Sequence, residues 1–592
     1  MGWVRGAAKP VRKELVFFLL VYLMLIQQPI EWICITYDNR WFQFLKFLQG
    51  LLIEFGVVYA ATCLVYFTRS RIVKGVLYLL FWLLMGITFF LAVSFNMSIS
   101  QQTLTVLVET NPNESAEFIN TYLWTPKSIL TYVIDLVVLL LIIVAEWKRK
   151  AIVRGLRQVL NVRFMEYLSG ALGCCGTVLM LVAYVSLFCC CNSSTIYHWR
   201  NVFPPDSLDP FSQSLHAINS LRAFDNDVDF AMAQARKVYT TRATVADSDS
   251  LTVVYVLGES YNKHHASIYG YDKPTTPNMA REQVAGNLFV FNDVISQENV
   301  TSVVEKNTFS LNSVGDGEYW FDTPNFTTVF RRAGYDVWMW DMQRTYMEKR
   351  LFTITVNSYI YNPELARLSY TAFNDTTFTF DGELIDDFAK NAKITGKYNL
   401  VVFHLMGQHV SFRQRFPKDS EFDRFRSYNY KNRKADYLNK EKRWMIAQYD
   451  NATLYNDYVL EKIFNLYRNK NAVVVYMSDH GEEVYDFRNR QGRYMTHNPE
   501  PDALRHQNEV PFVIWCSDRY KELHSDAVNR IKAAVNRPFM TDRVGFLLMD
   551  LGTLQTPYYK AENDLISPQY KPKKRFIYDH ADYDEIMRSS KQ

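Results

Sequence analysis

Two hydrophobic patterns divide the chain. Up to residue 191, apolar residues dominate five windows, 14–36, 43–67, 73–95, 128–147 and 168–191. Each is about the 20 residues a helix needs to cross the hydrocarbon core of a bilayer. The first does not read as a cleaved signal peptide, because Gln27, Gln28 and Pro29 follow its core in place of small residues. The pattern predicts a five-helix transmembrane domain over 1–191. After about residue 245 the apolar runs shrink to strand length, as in "LTVVYVLGES", "YNLVVFHLMGQH", "NAVVVYMSDHGE" and "NEVPFVIWCSD". Stretches with helical spacing, such as "NATLYNDYVLEKIFNLYRN", lie between them. Strands alternating with helices predict an α/β domain over 251–592 built on a mostly parallel sheet with helices on both faces. In the linker, 192–250, "FPPDSLDP" is a turn-rich break. Leu215, Ile218, Leu221, Phe224 and Val228 then give one apolar face to a predicted amphipathic bridging helix.

The strands end in chemistry. In "NAVVVYMSDHGEEVYD" a buried-strand pattern runs straight into Asp479 and His480. The first strand ends at Glu259, the second near His409, and the loop before the fourth holds His497. In open α/β sheets ligands sit just beyond the carboxyl ends of the strands. Convergence there would give two carboxylates and an imidazole, a donor set that suits Zn²⁺ or Mn²⁺. Each residue also has a plainer reading: Glu259 as a helix cap, His409 as a satisfied core histidine, the Asp479 loop as a polar turn. A nucleophile is offered by Thr301 and Ser302 in "DVISQENVTSVVEKNTFS". Ser302-Val-Val-Glu305 fits a capping box, which predicts a helix start here. A hydroxyl at such a helix end would face free N–H groups and a positive dipole. The residues alone leave Thr301 and Ser302 both open.

Composition changes the picture in two places. The net charge of +4 says little, but its distribution is informative. Basic residues cluster before the first window (Arg5, Lys9, Arg12, Lys13), between the second and third (Arg69, Arg71, Lys74) and between the fourth and fifth (Lys148, Arg149, Lys150, Arg154, Arg157, Arg163). The 96–127 loop carries Glu109, Glu114 and Glu117 against Lys127 alone. The positive-inside rule puts the N-terminus in the cytoplasm, and five crossings then put 192–592 outside. Of 8 cysteines only Cys516 lies in the soluble half, which excludes a disulfide within it.

With these residues in hand, the chain resembles the membrane phosphoethanolamine transferases of the alkaline phosphatase/sulfatase-like superfamily, which modify lipid A or the lipopolysaccharide core. The matching stretches are "VLGESYNKHHASIYGYDKPTTPNM", "FNDVISQENVTSVVEKNTFS", "VVFHLMGQHVSF", "YDNATLYNDYVL", "YMSDHGEEVYD" and "THNPEPDALRHQNEVPFVIW". The resemblance implies Glu259, Thr301, Asp479 and His480 as metal ligands and Thr301 as nucleophile. It implies His409 and His497 as groups that hold the phosphoethanolamine phosphate or a second metal, and Thr110 and Glu114 of the outer loop as substrate contacts. It further implies a zinc or manganese cofactor, a phosphatidylethanolamine donor and an envelope glycolipid or glycan acceptor. A monomer in a bacterial inner membrane, with a periplasmic catalytic domain and no nucleic-acid partner, completes what it implies. Val106 stands where the family has an asparagine, and Gln297 where lipid A-modifying members have a cysteine. The rival readings are a phosphoglycerol transferase of the same superfamily and a sulfatase-like hydrolase. "NVTSVVEKN" lacks the cysteine- or serine-based motif that a true sulfatase needs.

Overall fold

The computed structural model describes residues 2–28, 30, 40–95, 97–100, 103–104, 119–159, 162–344, 360–493, 499–578 and 581–590. The chain divides into two compact units, Met1–Asp227 and Val228–Gln592.

Among the described residues of the first unit, four helices are long and apolar enough to cross a membrane. They are α3 (Arg40–Thr68), α4 (Arg71–Phe95), α5 (Pro126–Trp147) and the Leu168–Phe188 part of α7 (Val162–Phe188). The remaining predicted crossing, 14–36, differs. Helix α1 (Gly2–Lys13) ends at Glu14, and α2 (Leu15–Leu25) is an apolar helix of 11 residues. At 1.5 Å per residue α2 spans about half a bilayer core. Residues 31–36 lie outside the described residues. Four helices of spanning length are therefore what the structure displays, against the five expected.

Lys74, at the start of α4, pairs with Glu14 at 2.9 Å and with Glu146, near the end of α5, at 2.6 Å. These three helix ends thus share one side of the unit. Helices α3 and α7 cross at Gly56 and Gly176. A Cβ on Gly56 would lie 2.3 Å from the Gly176 carbonyl oxygen, so only glycine permits this approach. Helices α6 (Arg149–Val159) and α8 (Ser193–Val202), which flank α7 in the chain, are short. The expected bridging helix is α9 (Pro210–Val238), and the division between the units falls inside it.

The second unit is built on a seven-stranded sheet in the order β2-β7-β6-β1-β5-β3-β4. Its strands are β1 (Leu251–Gly258), β2 (Leu288–Val290), β3 (Asp336–Asp341), β4 (Ala372–Phe373), β5 (Tyr398–His404), β6 (Ala472–Ser478) and β7 (Phe512–Cys516). The run β6-β1-β5-β3-β4 is parallel, but β7 is antiparallel to both β6 and β2. The sheet is therefore mixed. Parallel neighbours need a crossover that returns the chain to the far edge. After β6 the chain stays at the strand ends, makes α14 (Pro501–Gln507) and runs straight back.

Both faces of the central strands are buried, which explains their continuous apolar runs. Val254, Val256, Val401, Phe403, Val474 and Tyr476 pack on one face against α12 (Asp381–Asn391) and α13 (Lys440–Tyr467). On the other face Tyr255 meets Phe309 of α10 (Thr301–Phe309) and Phe326 of α11 (Phe326–Ala333) edge to face. Gly258 closes β1, where a Cβ would lie 2.5 Å from the Tyr476 hydroxyl.

Candidate metal and phosphoryl-transfer site

Glu259 follows β1 and Asp479 follows β6. Because Gly258 pairs with Ser478 in register, the two carboxylates emerge side by side at the same sheet edge. Both are fully buried, as is His480. Ser260 turns the chain away with φ +58°, a left-handed conformation that non-glycine residues seldom adopt. That turn aims its amide at Asp479 Oδ1 (2.9 Å), and its hydroxyl donates to Glu259 Oε1 (2.6 Å). Asp479 Oδ1 also accepts the His480 amide at 2.7 Å.

His480 Nδ1 lies 2.9 Å from the Gly481 carbonyl. A carbonyl only accepts, so Nδ1 carries the proton and Nε2 presents a lone pair. That lone pair faces Asp479 Oδ2 at 2.8 Å and Glu259 Oε1 at 3.4 Å. Asp479 Oδ2 has no hydrogen-bond donor among the described residues. One ligand atom from each of the three residues lies within 4.8 Å of the others. Electron pairs converging in a buried site call for a cation, so these residues fit a divalent metal with nitrogen and oxygen donors. Burial lowers His480 to about 3, helped by Arg493, which keeps the ring neutral and able to ligate.

Thr301 opens α10, and its hydroxyl donates to Glu259 Oε2 at 3.1 Å and lies 3.2 Å from His480 Nε2. Ser302 does not cap the helix. The N-cap is Val300, at φ −121° and ψ 118°, with no side-chain cap bond. The capping-box expectation therefore fails: the helix begins two residues early, Ser302 occupies its second position, and Glu305 faces His404 instead.

His409 is half-buried just beyond β5, and burial lowers it to about 3, with Glu259 opposing. Its Nδ1 has no hydrogen-bond partner among the described residues. His497, Thr110 and Glu114 lie outside the described residues.

Three neighbours of the cluster escaped the sequence reading. Arg493 donates from Nη1 to His480 Nε2 and to the Asn299 carbonyl, and its Nε sits 3.0 Å from Glu482. Gln343 donates to Glu259 Oε2 at 3.3 Å. His404 lies beneath, between Glu305 and Asp341. Arg493 had a faint signal as a basic residue in the loop that follows "SDHGEE". Gln343 had none.

This fold and ligand set define a class. Residues 252–542 match the Sulfatase family, and that part of the chain is a sulfatase-family domain. Among its relatives is the phosphoethanolamine transferase EptC of Escherichia coli O18:K1:H7, 24% identical over 525 residues that cover 86% of this chain and 85% of the relative. Phosphoethanolamine transferase EptA of Helicobacter pylori is 30% identical over 278 residues, 46% of this chain and 49% of that one. The fold matches the integral membrane lipooligosaccharide phosphoethanolamine transferase A of Neisseria meningitidis with a TM-score of 0.56 and 17% identity, over 94% of this chain and 99% of that one. The relatives are transferase enzymes, and one of them is similar to this chain across most of both lengths.

Proposed function

We propose that this chain is a metal-dependent transferase that moves phosphoethanolamine from phosphatidylethanolamine to an envelope acceptor such as lipid A or the lipopolysaccharide core. The observation that carries the reading is the Thr301 hydroxyl, set at a helix start within hydrogen-bond reach of Glu259 and His480. The transferred group follows the names of the relatives, one of which is a Kdo(2)-lipid A phosphoethanolamine transferase, and a lipid donor suits a chain with four apolar helices among its described residues.

In this reading Glu259, Asp479, His480 and Thr301 hold a divalent ion, zinc foremost and manganese second. An ion held there would lower the pKa of the threonine hydroxyl and offset charge on the phosphoryl oxygens. Thr301 Oγ1 gives its proton towards Glu259 Oε2 and attacks phosphorus. The bond from phosphorus to the diacylglycerol oxygen breaks, and diacylglycerol leaves carrying a proton. A phosphothreonine ester remains. An acceptor hydroxyl or phosphate oxygen then attacks the same phosphorus, and Thr301 recovers its proton. Backbone N–H groups at the start of α10 orient the phosphoryl oxygens. His409 and His497, with Thr110 and Glu114, are assigned to the phosphoethanolamine moiety.

The chain is read as an inner-membrane protein of a bacterial envelope, with residues 14–36 as a fifth crossing and 251–592 on the periplasmic side. The three basic clusters support that orientation, as does Lys74, which gathers three predicted cytoplasmic helix ends.

The test is mass spectrometry of lipids after the purified full chain is incubated with phosphatidylethanolamine and a lipid A acceptor. Diacylglycerol should appear together with an acceptor heavier by one phosphoethanolamine. Phosphoglycerol on the acceptor after a phosphatidylglycerol incubation, with none from phosphatidylethanolamine, would overturn the reading.

A further inference from the structure

Helix α10 carries Thr301 at its first position, yet little in the helix itself fixes that end. It is 9 residues long and its N-cap is Val300. Isolated helices this short are marginal in water, and valine is among the weakest N-caps. Something outside the helix must hold it.

Glu305 lies four residues after Thr301, on the same helical face. Its Oε1 is 3.3 Å from His404 Nε2, a charge contact rather than an aligned hydrogen bond. His404 is the last residue of β5 and stands directly opposite Asp341, the last residue of β3. The other ring nitrogen, Nδ1, meets Asp341 Oδ1 at 2.9 Å. Asp341 Oδ2 accepts the Tyr361 hydroxyl at 2.5 Å. Glu305, His404 and Asp341 are 7%, 3% and 3% exposed. Two carboxylates and one imidazole are thus buried in a row, and a charged imidazole between the carboxylates offsets them. Burial opposes that charge, but Asp341 and Glu305 overcome it and raise His404 to about 10.

The row reaches the site by two arms. One runs through Glu305 and a single helical turn to Thr301. The other runs through Asp341, whose Oδ1 accepts the Gln343 amide at 2.7 Å, and Gln343 in turn donates to Glu259 Oε2.

We infer that His404 is a positioning residue: it clamps Glu305 and Asp341 and thereby sets the distance between the Thr301 hydroxyl and Glu259. Its consequence for chemistry rests on the proposed role of Thr301 as nucleophile. His404 itself touches no reacting atom. It works on the geometry of attack, to which rates are steeply sensitive.

The test compares the full chain with Glu305→Gln, His404→Asn and the double variant, each checked for bound metal. Hydrogen exchange over residues 300–309 reports the clamp without reference to activity. Exchange should rise at least tenfold in both single variants, and no further in the double variant. The rate of threonine adduct formation should fall at least tenfold, with KM for phosphatidylethanolamine and metal stoichiometry unchanged. Unchanged exchange, or additive losses in the double variant, would overturn the clamp. Raised exchange with an unaltered adduct rate would overturn its role in positioning the nucleophile. If the wild type forms no adduct on Thr301, the transferase reading fails, and exchange still decides whether His404 holds α10.

Discussion

Gly481 separates the proposed ligand His480 from Glu482, and it has no room for a side chain. A Cβ there would lie 2.2 Å from the His506 carbonyl oxygen and 3.0 Å from its carbon. Ordinary contact begins near 3.4 Å, so the two backbones would have to separate by about 1 Å. Neither can move freely. The Gly481 amide donates to the Gln507 carbonyl at 2.8 Å, and the Gly481 carbonyl accepts from His480 Nδ1. Overpacking of this kind costs about 1–3 kcal/mol. For a unit of this size that corresponds to a fall of roughly 1–4 °C in the thermal midpoint. The larger effect should be on rate, because the strain pulls on the carbonyl that sets the His480 tautomer. A ligand or nucleophile displaced by about 1 Å can cost on the order of 10²-fold. The assay is turnover of Gly481→Ala at saturating donor, beside its thermal midpoint and zinc content. A variant with native turnover and native midpoint would refute the reasoning.

Thr301→Ala should leave a folded, metal-containing protein with no transfer, while Thr301→Ser keeps measurable turnover; product mass spectrometry with metal analysis checks both. Ser302→Ala should change stability by less than about 0.5 kcal/mol, since Ser302 is not the cap, and a thermal midpoint several degrees lower would contradict this. Dialysis against a chelator should abolish transfer, and zinc should restore it; full activity in metal-free protein would remove the ion from the reaction. His404 has a folded pKa raised to about 10 from 6.5, so its stabilisation is complete below about pH 6.5 and is lost as pH rises through 10. The stability gap between wild type and His404→Asn should therefore shrink from pH 6.5 to pH 10, and a gap that widens would contradict the clamp.

Much of the second unit was legible because its central strands are buried on both faces. Strands β1, β5, β6 and β7 read directly as apolar runs, and the polar residues that follow β1 and β6 form the buried carboxylate–imidazole cluster. Direction is not written in such runs, so the reversal of β7 was invisible. Strand β3, "DVWMWD", was missed because bulky aromatics between acidic residues resemble no simple alternation. With it went Asp341, and so the partner that gives His404 its place. His409 stood out as the histidine after the strand, whereas His404, inside the apolar run, read as core. The spacing of Ser302 and Glu305 imitated a capping box, but the backbone at Val300 had already turned extended, and Glu305 was claimed by His404. In the membrane unit, composition identified four helices of spanning length. The pattern over 14–36 did not reveal that α2 stops at Leu25.

In the proposed reaction Thr301 becomes covalently loaded. The most direct measurement incubates the full-length enzyme with phosphatidylethanolamine and no acceptor, quenches it, and maps its peptides by mass spectrometry. The account predicts one phosphoethanolamine on Thr301, absent from Thr301→Ala and discharged when acceptor is added. An adduct on Ser302, or undiminished transfer by Thr301→Ala, would contradict it.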